Sequence, residues 1–285
     1  MRLAARIFVI GVVLSSRALA QVPDLPPQEL VRRAVSNELE QTTDGIHYMY
    51  QVRRERPSGS TTKQLVETKD GVVARLIAIN DKPLTPEQRA WDDGKLKQLL
   101  SDPRTQSKRQ KEQREDAARV MRLIRELPNA FRYEYAGTTP GPNGTQLVRL
   151  NFKPDPSYNP PSKETAVFEG MAGSMLIDPV AERLVRIEAE LFRDVNFGWG
   201  ILGKLNRGGT FQIQQSHVGG RWMITEMRLK LTGKVMLFKN LNIHQVDRLS
   251  DFSRVPPGLT LAQGVEMLRN SDSVVAGTAQ TAKRR

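Results

Sequence analysis

Cysteine is absent from this chain of 285 residues, and the absence excludes several kinds of protein. Without it, neither a disulfide scaffold nor a thiolate metal site can form. A bacterial lipoprotein is excluded as well, because its lipid is attached to a cysteine at the processed N-terminus. A domain of this size can bury a core large enough to fold without disulfides.

Histidine is scarce too, with three residues that fall on separate predicted strands: His47, His217 and His244. None of them has a carboxylate at metal-ligand spacing. Glycine-rich phosphate loops and nucleophile elbows are also missing. The sequence therefore predicts that the protein binds no metal and no cofactor, has no catalytic residue and is not an enzyme. A hydrolase with two carboxylates is the weaker alternative, because Glu188 and Glu190 fall on the polar side of a predicted strand, which is typical of a solvated face.

The chain has no apolar run long enough to cross a bilayer. The longest candidate, residues 7–14, follows Arg2 and Arg6 and precedes the small-residue triplet Ala18-Leu19-Ala20. This order is typical of a secretory signal, and a buried N-terminal helix is the alternative. We therefore predict a signal peptide over residues 1–20, cleavage after Ala20, and a mature protein that is soluble in the periplasm.

Basic residues outnumber acidic ones, which gives a formal net charge of +12. Removing Arg2, Arg6 and Arg17 with the signal peptide leaves +9. This excess favours anionic neighbours, such as the surface of an anionic membrane in transient contact. Export excludes nucleic acid as a partner. Simple solubility explains the charge equally well.

Four stretches carry apolar residues at helical spacing. Thr85 followed by Pro86 predicts a helix start, and Pro128 predicts a helix end. The stretch from Lys108 to Asp116 is almost entirely charged, which indicates a solvated helical arm. The predicted helices cover residues 29–41, 86 to about 100, 103–127 and 259–268.

Alternation of apolar and polar residues predicts the strands. Turn signals separate several of them at Asp70-Gly71, Asp178-Pro179, Gly219-Gly220 and Gly233. Consecutive strands with short turns predict an α+β fold: a strongly curved antiparallel sheet of about 9–11 strands, an open half-barrel, with the helices covering its concave face. The predicted strands are 46–53, 64–69, 72–79, 131–135, 147–152, 171–177, 183–192, 210–218, 222–231 and 235–246.

The apolar side of these strands is rich in methionine and aromatic residues, which suit a surface that accepts varied apolar shapes. Any one of them is more simply explained as ordinary core, whereas the whole set favours a cavity. The glycine-flanked segment Phe197–Gly203 is either a mobile lip or a plug at one end of the barrel. The candidate ligand-binding residues are Tyr48, Tyr50, Met171, Met175, Ile187, Leu191, Phe211, Ile213, Met223, Met227 and Trp199.

Two segments resemble a known superfamily. Met175-Leu176-Ile177-Asp178-Pro179, followed by Arg183-Leu184-Val185-Arg186-Ile187-Glu188, is similar to the strand–turn–strand of the LolA and RseB superfamily of periplasmic lipoprotein carriers and sensors. The chain more closely resembles a group of exported bacterial proteins with this expected architecture. The stretches that match this group are 75–78, 82–87, 151–162, 197–203 and 251–252.

The resemblance implies one half-barrel domain over residues 21–268, with a helical insertion at 85–127, a helical lid and an apolar cavity. A disordered tail is expected over residues 269–285. The resemblance transfers no site residue to this chain. The function it implies is a non-enzymatic carrier or sensor that binds the acyl chains of lipids or lipoproteins. The alternative is an RseB-like module that binds an envelope membrane protein through the charged arm.

Overall fold

The computed structural model describes residues 25–41, 44–197, 203–235 and 239–270. Within these ranges lie four α-helices: α1 (Pro27–Gln41), α2 (Pro86–Ser101), α3 (Pro103–Ala130) and α4 (261–270). None of the described helices is long and apolar enough to cross a membrane. The strands are β1 (Tyr48–Arg56), β2 (Gly59–Thr68), β3 (Gly71–Ile79), β4 (Lys82–Pro83), β5 (Phe131–Pro140), β6 (Gln146–Pro154), β7 (Met171–Asp178), β8 (Arg183–Leu191), β9 (Val195–Phe197), β10 (Gly203–Leu205), β11 (Thr210–Val218), β12 (Arg221–Val235) and β13 (Lys239–Arg254).

All the described strands belong to one antiparallel sheet, in the order β4-β3-β2-β1-β13-β12-β11-β8-β7-β6-β5. The short β9–β10 hairpin attaches to β12. Because β4 and β5 form two separate edges, the sheet is not closed into a barrel, which confirms the predicted α+β class and open sheet. The strands beyond the predicted number are β4, β9 and β10, which have two or three residues each and are too short to show alternation.

Residues that pair directly across strands share a face of the sheet. One such row runs from Ile187 through Ile213, Met227 and Asp247 to Arg54. We call this side the α1 face, because α1 packs on it. The first hydrophobic core forms there from the apolar stripe of α1, the second half of α3 and strands β5–β8. Its buried members include Leu30, Val31, Ala34, Leu150, Met175 and Ile187, with Leu123, Ile124 and Leu127 packed against them.

A second core lies on the opposite face, at the β1–β3 end of the sheet. Val66 and Val73 pair across β2 and β3. Lys63 belongs to the α1 face, and alternation along β2 places Val66 on the other face of the sheet. Both valines are completely buried, in a cluster with Val265 and Leu268 of α4 and with Leu96 and Leu99 of α2. Helices α1 and α3 therefore contribute to the first core, whereas α2 and α4 contribute to the second.

Several local predictions are confirmed. Thr85 caps α2 with a capping box, since its hydroxyl accepts from the N–H of Gln88 and the Gln88 side chain accepts from the N–H of Thr85. Gly71, at φ 111°, closes the β2–β3 hairpin, where glycine adopts positive φ without strain. Asp178 ends β7 and accepts from the N–H groups of Val180 and Ala181. Gly219 and Gly220 connect β11 to β12.

Two predicted breaks are wrong. Helix α3 continues through Pro128 to Ala130, and both residues are buried. Their burial offsets the loss of one hydrogen bond near the end of the helix. Gly233 does not form a turn but lies inside β12. It is needed there because a Cβ at this position would stand 2.0 Å from the carbonyl oxygen of Lys204 in the adjoining hairpin.

The first half of α3 is not a free arm. Arg109 and Gln113 donate to the carbonyl of Val72 on β3, and the Gln113 side chain accepts from the Val72 N–H at 2.9 Å. These contacts occupy backbone groups at the exposed end of β3, which would otherwise pair with another strand. The neighbouring Lys108 and Lys111 stay on the outer side of the helix, so the arm is charged on one side and docked on the other.

The expected signal peptide, Trp199 and the tail from residue 271 onward lie outside the described residues.

Candidate functional site

Beyond the cover of α1, the α1 face continues as a strip of half-buried apolar side chains. Ile213 and Met227 extend the row of Ile187, and Phe211 and Leu229 extend the row of Ala189. Leu231 and Ile243 pair on the next two strands. Their partial exposure separates them from the tightly buried core beside them. We define the apolar strip as Phe211, Ile213, Met227, Leu229, Leu231 and Ile243.

Several predicted ligand-binding residues belong to the packed interior instead. Met175, Ile187 and Leu191 expose 2%, 7% and 1% of their surface, so they have little free surface to offer a ligand. Met171 is half-buried and packs against the first core, as Phe211 does, but it lies on β7, away from Ile213 and Met227. The structure therefore brings together only Phe211, Ile213 and Met227 of the predicted set as neighbours on the strip.

The two predicted tyrosines lie elsewhere on the α1 face. Tyr48 is 1% exposed, beneath the guanidinium of Arg221, and its hydroxyl accepts from Arg254 at 3.3 Å. Tyr50 stacks on Phe252 with ring centroids 5.5 Å apart, and burial raises its pKa. The tyrosines extend the α1 face along β1, separated from the strip by polar residues.

Met223 lies on the opposite face from Met227. The register of β11 and β12 shifts between Gln214 and Gln215, so Met227 faces Ile213 whereas Met223 faces Ser216. Because Ile213 and Ser216 are an odd number of residues apart on β11, they point to opposite sides of the sheet. The bulge thus removes Met223 from the strip.

Polar residues that the sequence did not single out lie beside the strip. The carboxylate of Asp247 is 4% exposed and binds Arg54 in a bidentate pair at 2.7 and 2.8 Å. Gln245 donates to the same carboxylate and accepts from Arg56. Lys63 lies on the same face, opposite Val52. We define the basic cluster as Arg54 and Arg56, held by Asp247 and Gln245, together with Lys63 on the neighbouring strand β2.

One signal in the sequence marks this cluster. Along β1 the residues of one parity are Tyr48, Tyr50 and Val52, followed by Arg54 and Arg56. The side chains therefore change from aromatic to basic without leaving the α1 face. Such a change in the middle of a sheet indicates a boundary between an apolar and a polar surface.

A second polar group anchors the end of α1 next to the strip. Glu38 accepts from Gln215 at 3.2 Å, and its other oxygen lies 3.8 Å from Arg183. Burial raises the pKa of Glu38, against the smaller lowering effects of Gln215 and Arg183. Arg183 also donates to the carbonyl of Asn37. These contacts hold the C-terminal half of α1 against β8 and β11.

The opposite face of the central strands is charged. Glu226 pairs with Arg228 and Arg248, and Glu55 pairs with Arg248 and Arg53. An open cleft of about 940 Å³ lies on this side. Its lining is mixed: Ser174, Glu188, Glu190, Gln212 and Arg228 lie beside apolar residues that include Ala172, Leu191 and Phe192. Among the described residues no cluster of three or more histidines and carboxylates is arranged to hold a metal.

No protein-family model matches the sequence, and no curated protein matches it. Among solved structures, the chain is similar to a DUF1329 family protein from Desulfovibrio piger, with 14% identity and a TM-score of 0.31 over 81% of this chain and 94% of that chain. It is also similar to MucB, in a complex with MucA(peri), with 9% identity and a TM-score of 0.22 over 79% of this chain and 94% of that one. At these values the likeness is one of coarse fold and assigns no family or ligand.

Proposed function

We propose that this protein binds the acyl chain of a lipid or lipoprotein along the apolar strip, as a periplasmic carrier or sensor without enzymatic activity. The observation that supports the proposal is the half-buried state of the strip. Ile213 and Met227 continue the rows of a packed core, yet they do not belong to that core and keep part of their surface exposed.

The energy of such binding is large. Each methylene that leaves water contributes about 0.8 kcal/mol, so a chain of ~15 methylenes contributes roughly 12 kcal/mol before the costs of binding. Met227 suits this contact, because its flexible thioether adapts to an irregular hydrocarbon surface. A single lipid that lies on the strip also removes exposed apolar side chains from water.

The proposal is tested by mass spectrometry under native conditions. The full chain is expressed with its own N-terminal segment and purified from the periplasm without detergent. We expect co-purified lipid in the spectrum. Ile213→Glu places a charge on the strip and is expected to lower lipid occupancy at least tenfold. Gln212→Glu is the matched control, since it adds the same charge at the adjacent residue on the opposite face.

Three outcomes decide between the candidate functions. Lipid in the wild type and in Gln212→Glu, but not in Ile213→Glu, supports the carrier. A stable partner protein without lipid supports the interaction module instead. If the wild type carries no lipid and takes up no added palmitate, or if both variants behave alike, acyl-chain binding at the strip is wrong. Circular dichroism of both variants shows whether the fold is retained.

A further inference from the structure

We propose that the basic cluster binds the anionic headgroup of the amphiphile whose acyl chain lies on the apolar strip. This inference rests on the proposed function and specifies its ligand as a lipid with a phosphate or carboxylate head. The two surfaces are adjacent on one face, because Asp247 pairs with Met227 of the strip on one side and with Arg54 of the cluster on the other.

The bidentate pair presents Arg54 to solvent. Asp247 is 4% exposed and lies underneath, whereas Arg54 is 41% exposed. Two of its N–H groups, on Nε and Nη2, are used by Asp247. A guanidinium has five N–H donors, so three remain to bind an oxyanion. Asp247 therefore acts as a support that orients the guanidinium, and the outer edge of Arg54 stays available for a ligand.

The cluster also carries more positive than negative charge. Arg56 binds a neutral partner, Gln245, and Lys63 forms no ion pair with any described residue. The pKa of Lys63 is lowered, first by partial burial and then by the charge of Arg54. Lys95 and Arg109 lower it further, while Asp92 raises it. An oxyanion placed here balances an excess of positive charge that the protein leaves uncompensated.

The spacing of the strands suits one amphiphile. Neighbouring strands lie about 4.8 Å apart, so a headgroup above β1 stands about 10 Å from a tail above β12. Both lie on the same face, so the ligand does not have to pass through the sheet. Arg54 is then the contact nearest to the strip, and Lys63, one strand further, is the outer contact.

Two ligands that share an acyl chain but differ in headgroup show what the headgroup contributes to binding. Palmitoyl lysophosphatidylglycerol is anionic, whereas monopalmitoylglycerol is neutral. For the wild type we expect the anionic ligand to bind at least tenfold more tightly, measured by fluorescence titration below the micellar concentration. Lys63→Gln combined with Arg56→Gln is expected to weaken anionic binding at least fivefold and to leave neutral binding unchanged. Arg53→Gln, which faces the opposite side of β1, is the matched control.

Failure of this inference is distinct from failure of the proposed function. Equal affinity for the two ligands in the wild type, or an unchanged preference in the double variant, overturns headgroup recognition while acyl-chain binding stands. If neither ligand binds, acyl-chain binding itself is wrong. Palmitate at the same concentrations shows whether a carboxylate satisfies the cluster as well as a phosphate does, and added salt should weaken only the anionic ligands.

Discussion

At the scale of single residues, Met223 and Met227 show how one extra residue changes a site. They have the same parity in β12, but the register shift between them places Met227 beside Ile213 and Met223 beside Ser216. We expect Met227→Glu to lower acyl-chain binding at least tenfold, because it introduces a charge into the contact. Met223→Glu is expected to bind like the wild type. Titration with a fluorescent fatty acid measures both, and equal loss in the two variants would contradict the assignment of faces.

A second prediction at this scale concerns how much the buried carboxylate of Asp247 contributes to stability. Asp247→Asn keeps the size of the side chain but removes the charge that holds Arg54 and leaves a poorer acceptor for Gln245. Breaking a fully buried ion pair costs about 3–5 kcal/mol. Since Arg54 is partly exposed and stays hydrated, we expect a loss of about 2 kcal/mol in the free energy of unfolding, measured with urea.

The control for that measurement is an ion pair on the charged face. Arg53 binds Asp81 at 2.7 Å, but the Asp81 side chain is 59% exposed. Arg53→Gln should therefore lower the free energy of unfolding much less than Asp247→Asn does. A cost for Asp247→Asn as small as the cost for Arg53→Gln would mean that Asp247 does not support the cluster.

At the scale of elements, the β9–β10 hairpin depends on a close approach of two backbones. A Cβ on Gly233 would stand 2.0 Å from the carbonyl oxygen of Lys204, and backbone cannot yield as a side chain does. We expect Gly233→Ala to detach the hairpin from β12 while the central sheet stays intact. Hydrogen exchange should then show faster exchange of the amides of residues 203–205 and little change in β7 and β8. Unchanged protection of the hairpin would refute this.

In helix α2, in contrast, we expect replacing a glycine by alanine to stabilise the protein. Gly94 lies inside the helix at an ordinary negative φ, and an added Cβ there would meet no atom within 4 Å. Alanine loses less backbone entropy than glycine when a helix forms. Gly94→Ala should therefore raise the free energy of unfolding by about 0.5–1 kcal/mol, read from the midpoint of urea unfolding. A decrease would show that the helix surface at Gly94 is not free.

At the scale of the whole molecule, alternation and turn chemistry were sufficient to predict the open antiparallel sheet. The strand Thr210–Val218 and the cap at Thr85 follow directly from local patterns. The division of the helices between two cores does not, because amphipathicity identifies the apolar side of α4 without saying which face of the sheet it meets. Likewise, no local pattern shows that Gln113 binds the backbone of Val72 at the sheet edge.

The candidate site was predictable to a smaller extent. The apolar parity correctly places Phe211, Ile213 and Met227 on one face. It cannot distinguish a half-buried residue such as Ile213 from a buried one such as Ile187, because the difference depends on how elements distant in sequence pack on the sheet. β-Bulges are a second source of error in predicting which face a residue occupies, because one extra residue moves every residue beyond it to the other face.

Buried acids set how the stability of the whole domain depends on pH. Burial raises the pKa of Glu38 and Glu67 above the ordinary value of 4.5, and it raises the pKa of Asp92 too. The native state therefore keeps these protons at a pH where the unfolded chain has released them. Each such acid contributes stability that falls as the pH rises from its ordinary pKa, 4.5 for the two glutamates and 3.8 for Asp92, through its native pKa. On the charged face, arginines lower the pKa of Glu55 and Glu226, so their contribution is lost as the pH falls.

These opposing effects predict a maximum of thermal stability on the mildly acidic side, close to the ordinary pKa values of the carboxyl groups. Glu38→Gln combined with Glu67→Gln removes two of the groups that cause the decline above this maximum. The glutamine oxygens can still accept, as Glu67 does from the N–H of Tyr48. We expect the Tm of the wild type to fall between pH 5 and 7, and that of the double variant to fall much less, with Asp92 leaving a residual slope. The same fall in both proteins would show that these buried glutamates are not responsible for it.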